Sequence, residues 1–86
     1  MKGIMALLAQ TFSNITPDKF KDLAATVKAK TGITINQNSG VDSQGSWRVR
    51  WAYDQTNMQL VVQVLDKPWY ASEGRVNGTI RDWVTA

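Results

Sequence analysis

The clearest hydrophobic periodicity in the chain lies between positions 17 and 31. Apolar residues recur there at the i, i+3, i+4 and i+7 spacing of one helix face: Phe20, Leu23, Ala24 and Val27. Thr16 is a good N-cap, Pro17 suits the first helical position, and Gly32 readily adopts the left-handed conformation that ends a helix. The pattern therefore predicts a helix over 17–31.

Two further segments carry weaker helical patterns. Residues 3–13 are predicted as a short helix, with a strand as the alternative, because they hold the apolar stripe Ile4, Met5, Leu7, Leu8 and Phe12. Residues 72–85 are predicted as the last helix, in which Ser72 is the cap and the apolar stripe is Val76, Ile80, Trp83 and Val84. Gly74 and Gly78 each weaken this helix by about 1 kcal/mol relative to Ala, so it should depend on docking to a sheet.

Alternation of apolar and polar residues predicts three strands, over 33–36, 46–53 and 58–65. In the second strand, one face carries Trp47, Val49, Trp51 and Tyr53, and the opposite face carries Arg48, Arg50 and Ala52. The polar segments 37–45 and 54–57 are predicted as loops, and the second of them closes a hairpin.

A hairpin loop at 54–57 sets the register of the two longer strands. It pairs Tyr53 with Met58, Trp51 with Leu60, Val49 with Val62, and Trp47 with Val64. All these pairs are apolar and lie on one face, and a slip of one residue would mix the two faces. The predicted core consists of Trp47, Trp51, Val49, Leu60, Val62, Phe20, Leu23, Val27, Ile80 and Trp83.

The element order (α)-α-β-β-β-α predicts a small α+β domain. Its simplest architecture is a three-stranded antiparallel sheet with the helices packed on one face, and the other face is open or covered by a partner. With 86 residues, of which 43% are hydrophobic, we expect a single domain spanning 1–86. No apolar run approaches the roughly 18 residues of a membrane span, and the first ten residues do not resemble a signal peptide. We expect a cytoplasmic protein of bacterial or phage type that does not bind a membrane.

Composition removes most enzyme chemistry. The chain has no His and no Cys, which excludes an imidazole base, a thiolate nucleophile and zinc sites built from these residues. Asp42 lies in the oxygen-rich 37–45 segment, but calcium sites need more carboxylates than this one. No phosphate-binding loop, dinucleotide fingerprint or nucleophile elbow occurs. We therefore expect a protein without catalysis, cofactor, metal or small-molecule substrate.

Three surfaces are candidates for binding. Arg48 and Arg50 share the polar strand face about 7 Å apart, lysines flank the apolar stripe of helix 17–31, and a Pro-stiffened segment after the last strand presents two aromatic residues. The simpler interpretations are a solvated sheet face, lysines that cover core edges, and aromatics that close the core. The candidate residues are Arg48, Arg50, Lys21, Lys28, Lys67, Trp69 and Tyr70.

The α-β-β-β-α order over about 17–85 resembles that of the double-stranded-RNA-binding domain in element order and size. That family has a basic cluster at the start of its last helix, where this chain has Lys67 and Arg75 beside Glu73. The 37–45 loop, another expected contact region, has no basic residue and carries Asp42. The RNA-binding function is therefore not transferred.

Two classes of function remain open. The favoured one is protein–protein association, with a partner or as a homodimer, through the open sheet face, the N-terminal segment or Trp69 and Tyr70. The alternative is nucleic-acid binding through Arg48, Arg50 and the helix lysines. The net charge of +3 permits nucleic-acid binding and does not require it.

Overall fold

A computed structural model describes residues 7–68 and 70–85. Within these residues the elements are β1 (Gln10–Phe12), α1 (Pro17–Thr31), β2 (Ser39–Gln44), β3 (Trp47–Asp54), β4 (Gln59–Asp66) and α2 (Glu73–Thr85). The strands form an antiparallel sheet in the order β1-β4-β3-β2. Both helices pack on one face of this sheet. The structure confirms the α+β class, with four strands instead of the predicted three.

Both helices begin where their capping residues predict, and α1 also ends where Gly32 predicts. The Lys19 backbone N–H donates to Thr16 Oγ1 (3.2 Å), and Gly32 ends α1 with a φ of 83°. In α2, the Arg75 backbone N–H donates to Ser72 Oγ (3.3 Å). Capping is a local interaction between residues close in sequence, which is why sequence places these ends well.

The helix predicted over 3–13 is wrong where the structure describes it, and residues 3–6 lie outside the described part. Residues 10–12 form β1, which pairs Gln10 with Val62 on β4. The Leu7 backbone N–H also donates to the Val64 carbonyl (2.9 Å). Pairing satisfies the backbone groups along the edge of β4, and it buries Leu7 without a helix.

The segment that follows α1, residues 33–45, also differs from its prediction. Residues 33–36 form no strand, although Ile33 is fully buried, and most of the predicted 37–45 loop is the strand β2. Gly40 explains the polar, glycine-containing sequence of β2. A Cβ atom at Gly40 would lie 3.0 Å from Cζ2 of Trp51, so a larger residue would require the indole to move, and glycine allows this close approach. The Trp51 Nε1–H donates to the Gln37 carbonyl (2.9 Å).

The register between β3 and β4 is shifted by two residues from the prediction. The observed partners are Tyr53 with Leu60, Trp51 with Val62, and Val49 with Val64. The turn occupies 55–58 instead of 54–57, because Asp54 is still paired in the ladder and Met58 adopts a φ of 51°. Since side chains alternate with a period of two, a shift of two leaves the paired residues on their predicted faces, whereas Met58, predicted to face Tyr53, lies in the turn.

The helix-covered side of the sheet contains the core. The Phe20 ring stacks on the Tyr53 ring with centroids 4.3 Å apart and 11° between the planes. Of the ten predicted core residues, Leu23, Trp51 and Leu60 are buried. The other seven are half-buried: Trp47, Val49, Val62, Phe20, Val27, Ile80 and Trp83.

No helix within residues 7–68 and 70–85 is both long and apolar enough to cross a membrane.

Candidate functional site

The sheet has one face that the helices do not cover, which we call the open face. Along β3 the exposed and buried positions alternate, so Arg48, Arg50, Ala52 and Asp54 face away from the helices. The neighbouring strands contribute the residues that lie beside these positions in the ladders, including the carboxylate of Asp66 opposite Arg48: Ser39, Val41, Ser43, Gln59, Val61, Gln63 and Asp66. The predicted pair Arg48 and Arg50 therefore lies together on an exposed surface.

A short chain of hydrogen bonds holds Arg50 in place on the open face. Its Nη2 donates to Gln63 Oε1 (2.8 Å), and Gln63 Nε2 donates to the Leu7 carbonyl (3.0 Å). Because the Gln63 amide is itself held by the Leu7 carbonyl, its hydrogen bond restricts the rotamers open to the Arg50 side chain. An arginine ordered before binding loses less conformational entropy when a partner docks.

The β3 strand ends at Asp54, whose carboxylate stabilises the following turn. Asp54 Oδ2 accepts a hydrogen bond from Asn57 Nδ2 (2.7 Å), and Oδ1 accepts one from the Asn57 backbone N–H (3.2 Å). These hydrogen bonds hold the pKa of the Asp54 carboxyl below its usual range. Along one strand, the open face therefore has two cations near its start and a firmly ionised carboxylate at its end.

The helix lysines do not join the two arginines. Lys21 and Lys28 are exposed on α1, which lies on the opposite side of the sheet from the open face. Lys28 Nζ donates to Thr34 Oγ1 (3.0 Å), an interaction that ties the end of α1 to the connection that follows. The single basic face proposed for nucleic-acid binding is thus divided between two sides of the molecule.

The segment after β4 is partly described. Lys67 is half-buried, and its backbone N–H donates to Asp66 Oδ1 (2.9 Å). Tyr70 is 74% exposed, and Trp69 lies outside the described residues. Leu8, from the predicted N-terminal stripe, is 78% exposed. The expectation that one aromatic of the 69–70 pair is exposed is therefore met by Tyr70.

The helix-covered side contains a feature that the sequence did not predict, a cavity between α1, α2 and the sheet, which we call the cleft. Its volume is about 550 Å³. The walls are mainly apolar, and three tryptophans contribute to them, Trp47, Trp51 and Trp83. The two charged residues in its lining are Lys30 on α1 and Arg75 on α2. The cleft explains why seven predicted core residues are only half-buried.

The two ends of the cleft differ. At one end, which we call the closed end, Val84 packs with Ile15 and Tyr53, and the Tyr53 hydroxyl donates to the Ile15 carbonyl (2.6 Å). Burial raises the pKa of Tyr53, and the neighbouring negative charge of Asp54 adds to the shift. At the other end, Trp47 and Ala71 pack in the cluster of Val64, and the exposed Tyr70 precedes Ala71 in the lining; we call this the entrance end.

The sequence carries no signal of the cleft. Gly74 and Gly78, the two smallest residues of α2, have open space where a Cβ atom would be, but neither lines the cleft. The size of the gap depends on the angle between the helices, which periodicity within each helix does not determine.

Among the described residues, no three His, Cys, Asp or Glu side chains lie close enough together to hold a metal ion. Asp42 instead accepts a hydrogen bond from the Thr34 backbone N–H through Oδ2 (2.8 Å). Comparison of the chain with protein-family models, curated proteins and solved structures finds no match.

Proposed function

We propose that the protein is a binding module without catalytic activity, and that its open face associates with the same face of a second copy. The observation that supports this proposal is the order of residues on β3. From start to end, the open-face positions are Arg48, Arg50, Ala52 and Asp54. The strand is therefore positive at one end and negative at the other.

Such a strand is complementary to itself when two copies meet antiparallel. A two-fold axis between Arg50 and Ala52 brings Arg48 opposite Asp54 of the partner subunit, and it forms this pair twice. The same axis brings Arg50 opposite the small Ala52 of the partner subunit, which leaves room for the guanidinium. Opposite charges steer the encounter and fix the orientation of the two copies.

The interface is small. At about 3.4 Å per residue and about 4.8 Å per strand, a face of four strands built around an eight-residue β3 is at most about 27 by 19 Å, or about 500 Å² per copy. Two such faces bury about 1,000 Å², which is the lower end of specific interfaces. We therefore expect a weak dimer that forms at high concentration.

Nucleic-acid binding has less structural support. The open-face side chains among the described residues are aliphatic, polar or charged, whereas the aromatic residues of β3, Trp47, Trp51 and Tyr53, face the helices. Sheets that bind single strands usually stack bases on aromatic side chains.

We propose a cytoplasmic location as well, on the sequence pattern alone.

Charge reversal tests the proposed pairing. Sedimentation equilibrium over a wide concentration range should show wild-type mass rising towards twice the monomer. Arg48→Asp and Asp54→Arg should each keep the protein monomeric, because each creates two like-charge contacts in the symmetric interface. The double variant restores opposite charges and should restore the dimer.

Lys21→Asp is the matched control, since it makes the same change of charge on the other side of the sheet. Circular dichroism checks that every variant is folded. A wild type that stays monomeric at millimolar concentration contradicts the proposal. So does a double variant without rescue, or a control that weakens the dimer as much as Arg48→Asp.

A further inference from the structure

We propose that the cleft is a binding site for a long-chain carboxylate, with the alkyl chain between the helices and the carboxylate at Lys30 and Arg75. The site lies on the other side of the sheet from the open face, so it does not depend on the proposed dimer. Three properties of the cleft support this site: its volume, the chemistry of its walls and the position of its two cations.

The cleft has the size and walls of a ligand site. Pockets that bury most of a small ligand have volumes of about 300–1,000 Å³, and the cleft, at about 550 Å³, lies within that range. It is formed by side chains from both helices and from the two central strands, among them Val27, Val49, Val62 and Ile80. Water gains few hydrogen bonds from such walls, whereas an alkyl chain gains dispersion contacts on every side.

The helix directions place both cations at the same end. Phe20, in the first turn of α1, stacks on Tyr53, so α1 begins at the closed end and finishes at the entrance end. Val76, near the start of α2, packs with Val64, and Val84, near its finish, packs at the closed end. The two helices are therefore antiparallel, and the last turn of α1 lies at the same end as the first turn of α2.

Lys30 belongs to that last turn and Arg75 to that first turn, so both side chains line the entrance end. No aspartate or glutamate among the described residues lines the cleft. An apolar cavity with cations at its entrance favours a ligand that is apolar along its length and negative at one end. Both side chains are exposed, so they can bind a carboxylate while the head group stays in contact with water.

A free long-chain carboxylate fits these features best. The enclosed part of the cleft lies over two strands, β3 and β4, which suits one alkyl chain. An anionic phospholipid presents the same chemistry but carries two chains. Binding to the free acid and not to phospholipid vesicles is therefore the result that this proposal requires.

Bromine on an alkyl chain quenches tryptophan at short range, and Trp47, Trp51 and Trp83 line the cleft. We expect saturable quenching of wild-type fluorescence by a brominated long-chain carboxylate, and displacement of that probe by the unbrominated acid. In a series of saturated acids, each added methylene should tighten binding about threefold to fourfold until the chain fills the cleft. The alcohol of equal length should bind more weakly than the acid.

Two pairs of variants separate the site from general effects of charge. Lys30→Gln and Arg75→Gln should each weaken carboxylate binding about twofold to fivefold and leave alcohol binding unchanged. The matched controls Lys21→Gln and Arg81→Gln, on the same two helices but outside the cleft lining, should bind like wild type. Val49→Phe should shorten the longest chain that binds, and its control is Val61→Phe on the open face.

Several results would overturn the inference. These are quenching that the unbrominated acid does not displace, equal binding of acid and alcohol, and charge variants that behave like their controls. Binding to anionic phospholipid vesicles in preference to the free acid would also overturn it. If Val49→Phe does not fold, the charge variants and the alcohol comparison still decide the question.

Discussion

The two faces of the sheet are made by the same strands and have opposite properties. On β3, Trp51 and Tyr53 are buried under the helices, while their neighbours Arg50 and Ala52 are exposed to solvent. On β4, Leu60 is fully buried, and its neighbour Val61 lies on the open face. One residue of displacement along the chain thus separates a position in the core from a position on a surface.

Because of this difference, we expect the helix-covered face to determine the stability of the fold and the open face to determine association. The helix-covered face removes large apolar side chains from water, which is the main favourable contribution to folding. The open face keeps small residues and charges, so it contributes little to folding of one chain and is free to define how two chains meet. Substitutions on the two faces should therefore change different measured quantities.

The largest expected effect comes from the fully buried position on β4. Leu60→Ala should lower the free energy of unfolding by roughly 2–5 kcal/mol, because it removes buried methyl groups and leaves a cavity. Val61→Ala, one residue further on at a half-buried position, should lower it by about 1 kcal/mol, the usual loss for a point mutation. Urea unfolding at low protein concentration measures both values without a contribution from dimerisation. Equal losses would show that the two faces do not differ in this way.

The same alternation explains which parts of the fold the sequence predicts. The faces of β3 and β4 follow from a period of two, and they survive the shift of register because that shift is an even number. The register itself depends on the turn. Asp54 stabilises this turn by a hydrogen bond and Met58 adopts a positive φ in it, and the pattern of apolar residues predicts neither feature. The preferred prediction is wrong for both edge strands, although the strand alternative for residues 3–13 is correct at 10–12. β1 acquires strand structure by pairing with β4, which is distant in sequence, and the polar sequence of β2 does not alternate.

The local sequence pattern predicts the exposed arginines of the open face, but it does not predict the cleft on the helix-covered face. Arg48 and Arg50 are two residues apart on one strand, so their common exposure is predictable. The cleft brings Lys30 and Arg75 together across 45 positions of chain, and only the packing of the helices determines that arrangement.

A smaller effect distinguishes association between copies from nucleic-acid binding at the open face. Arg48→Ala with Arg50→Ala lowers the net charge from +3 to +1, and so does Lys21→Ala with Lys28→Ala on the helix side. We expect both pairs to reduce any nucleic-acid binding equally, because only total charge contributes. A titration at about 50 mM salt, where phosphate contacts are strong, measures this comparison.

The opposite result would favour the nucleic-acid alternative. If the arginines contact phosphates, their loss should reduce the slope of log affinity against log salt by about 1–2, whereas loss of the lysines should leave the slope unchanged. Both variants should be studied below the concentration at which the wild type dimerises, because Arg48 also contributes to the proposed interface.

The smallest expected effect concerns the turn at the end of the open face. The pKa of Asp54 is lowered in the folded protein, mainly by its hydrogen bonds with Asn57. A carboxyl whose folded pKa lies below its unfolded pKa stabilises the folded state above the unfolded value, and this stabilisation is lost as pH falls through the folded value. Asn57→Ala removes the side-chain donor, so the pKa of Asp54 should rise towards the ordinary aspartate value of 3.8. NMR titration of the Asp54 carboxyl measures this directly.

The stability difference between wild type and Asn57→Ala should accordingly be present at neutral pH and become smaller as pH falls from 3.8 through the lower pKa of Asp54 in the folded wild type, below which both proteins are protonated at Asp54. Gln55→Ala, an exposed residue of the same turn, is the control and should leave the Asp54 pKa unchanged. The dimer should weaken over the same acidic range, because Asp54 is the carboxylate that meets Arg48 of the partner subunit. An Asp54 pKa that Asn57→Ala does not change would show that the turn hydrogen bonds do not lower it, and a dimer that persists when Asp54 is neutral would contradict the charge pairing.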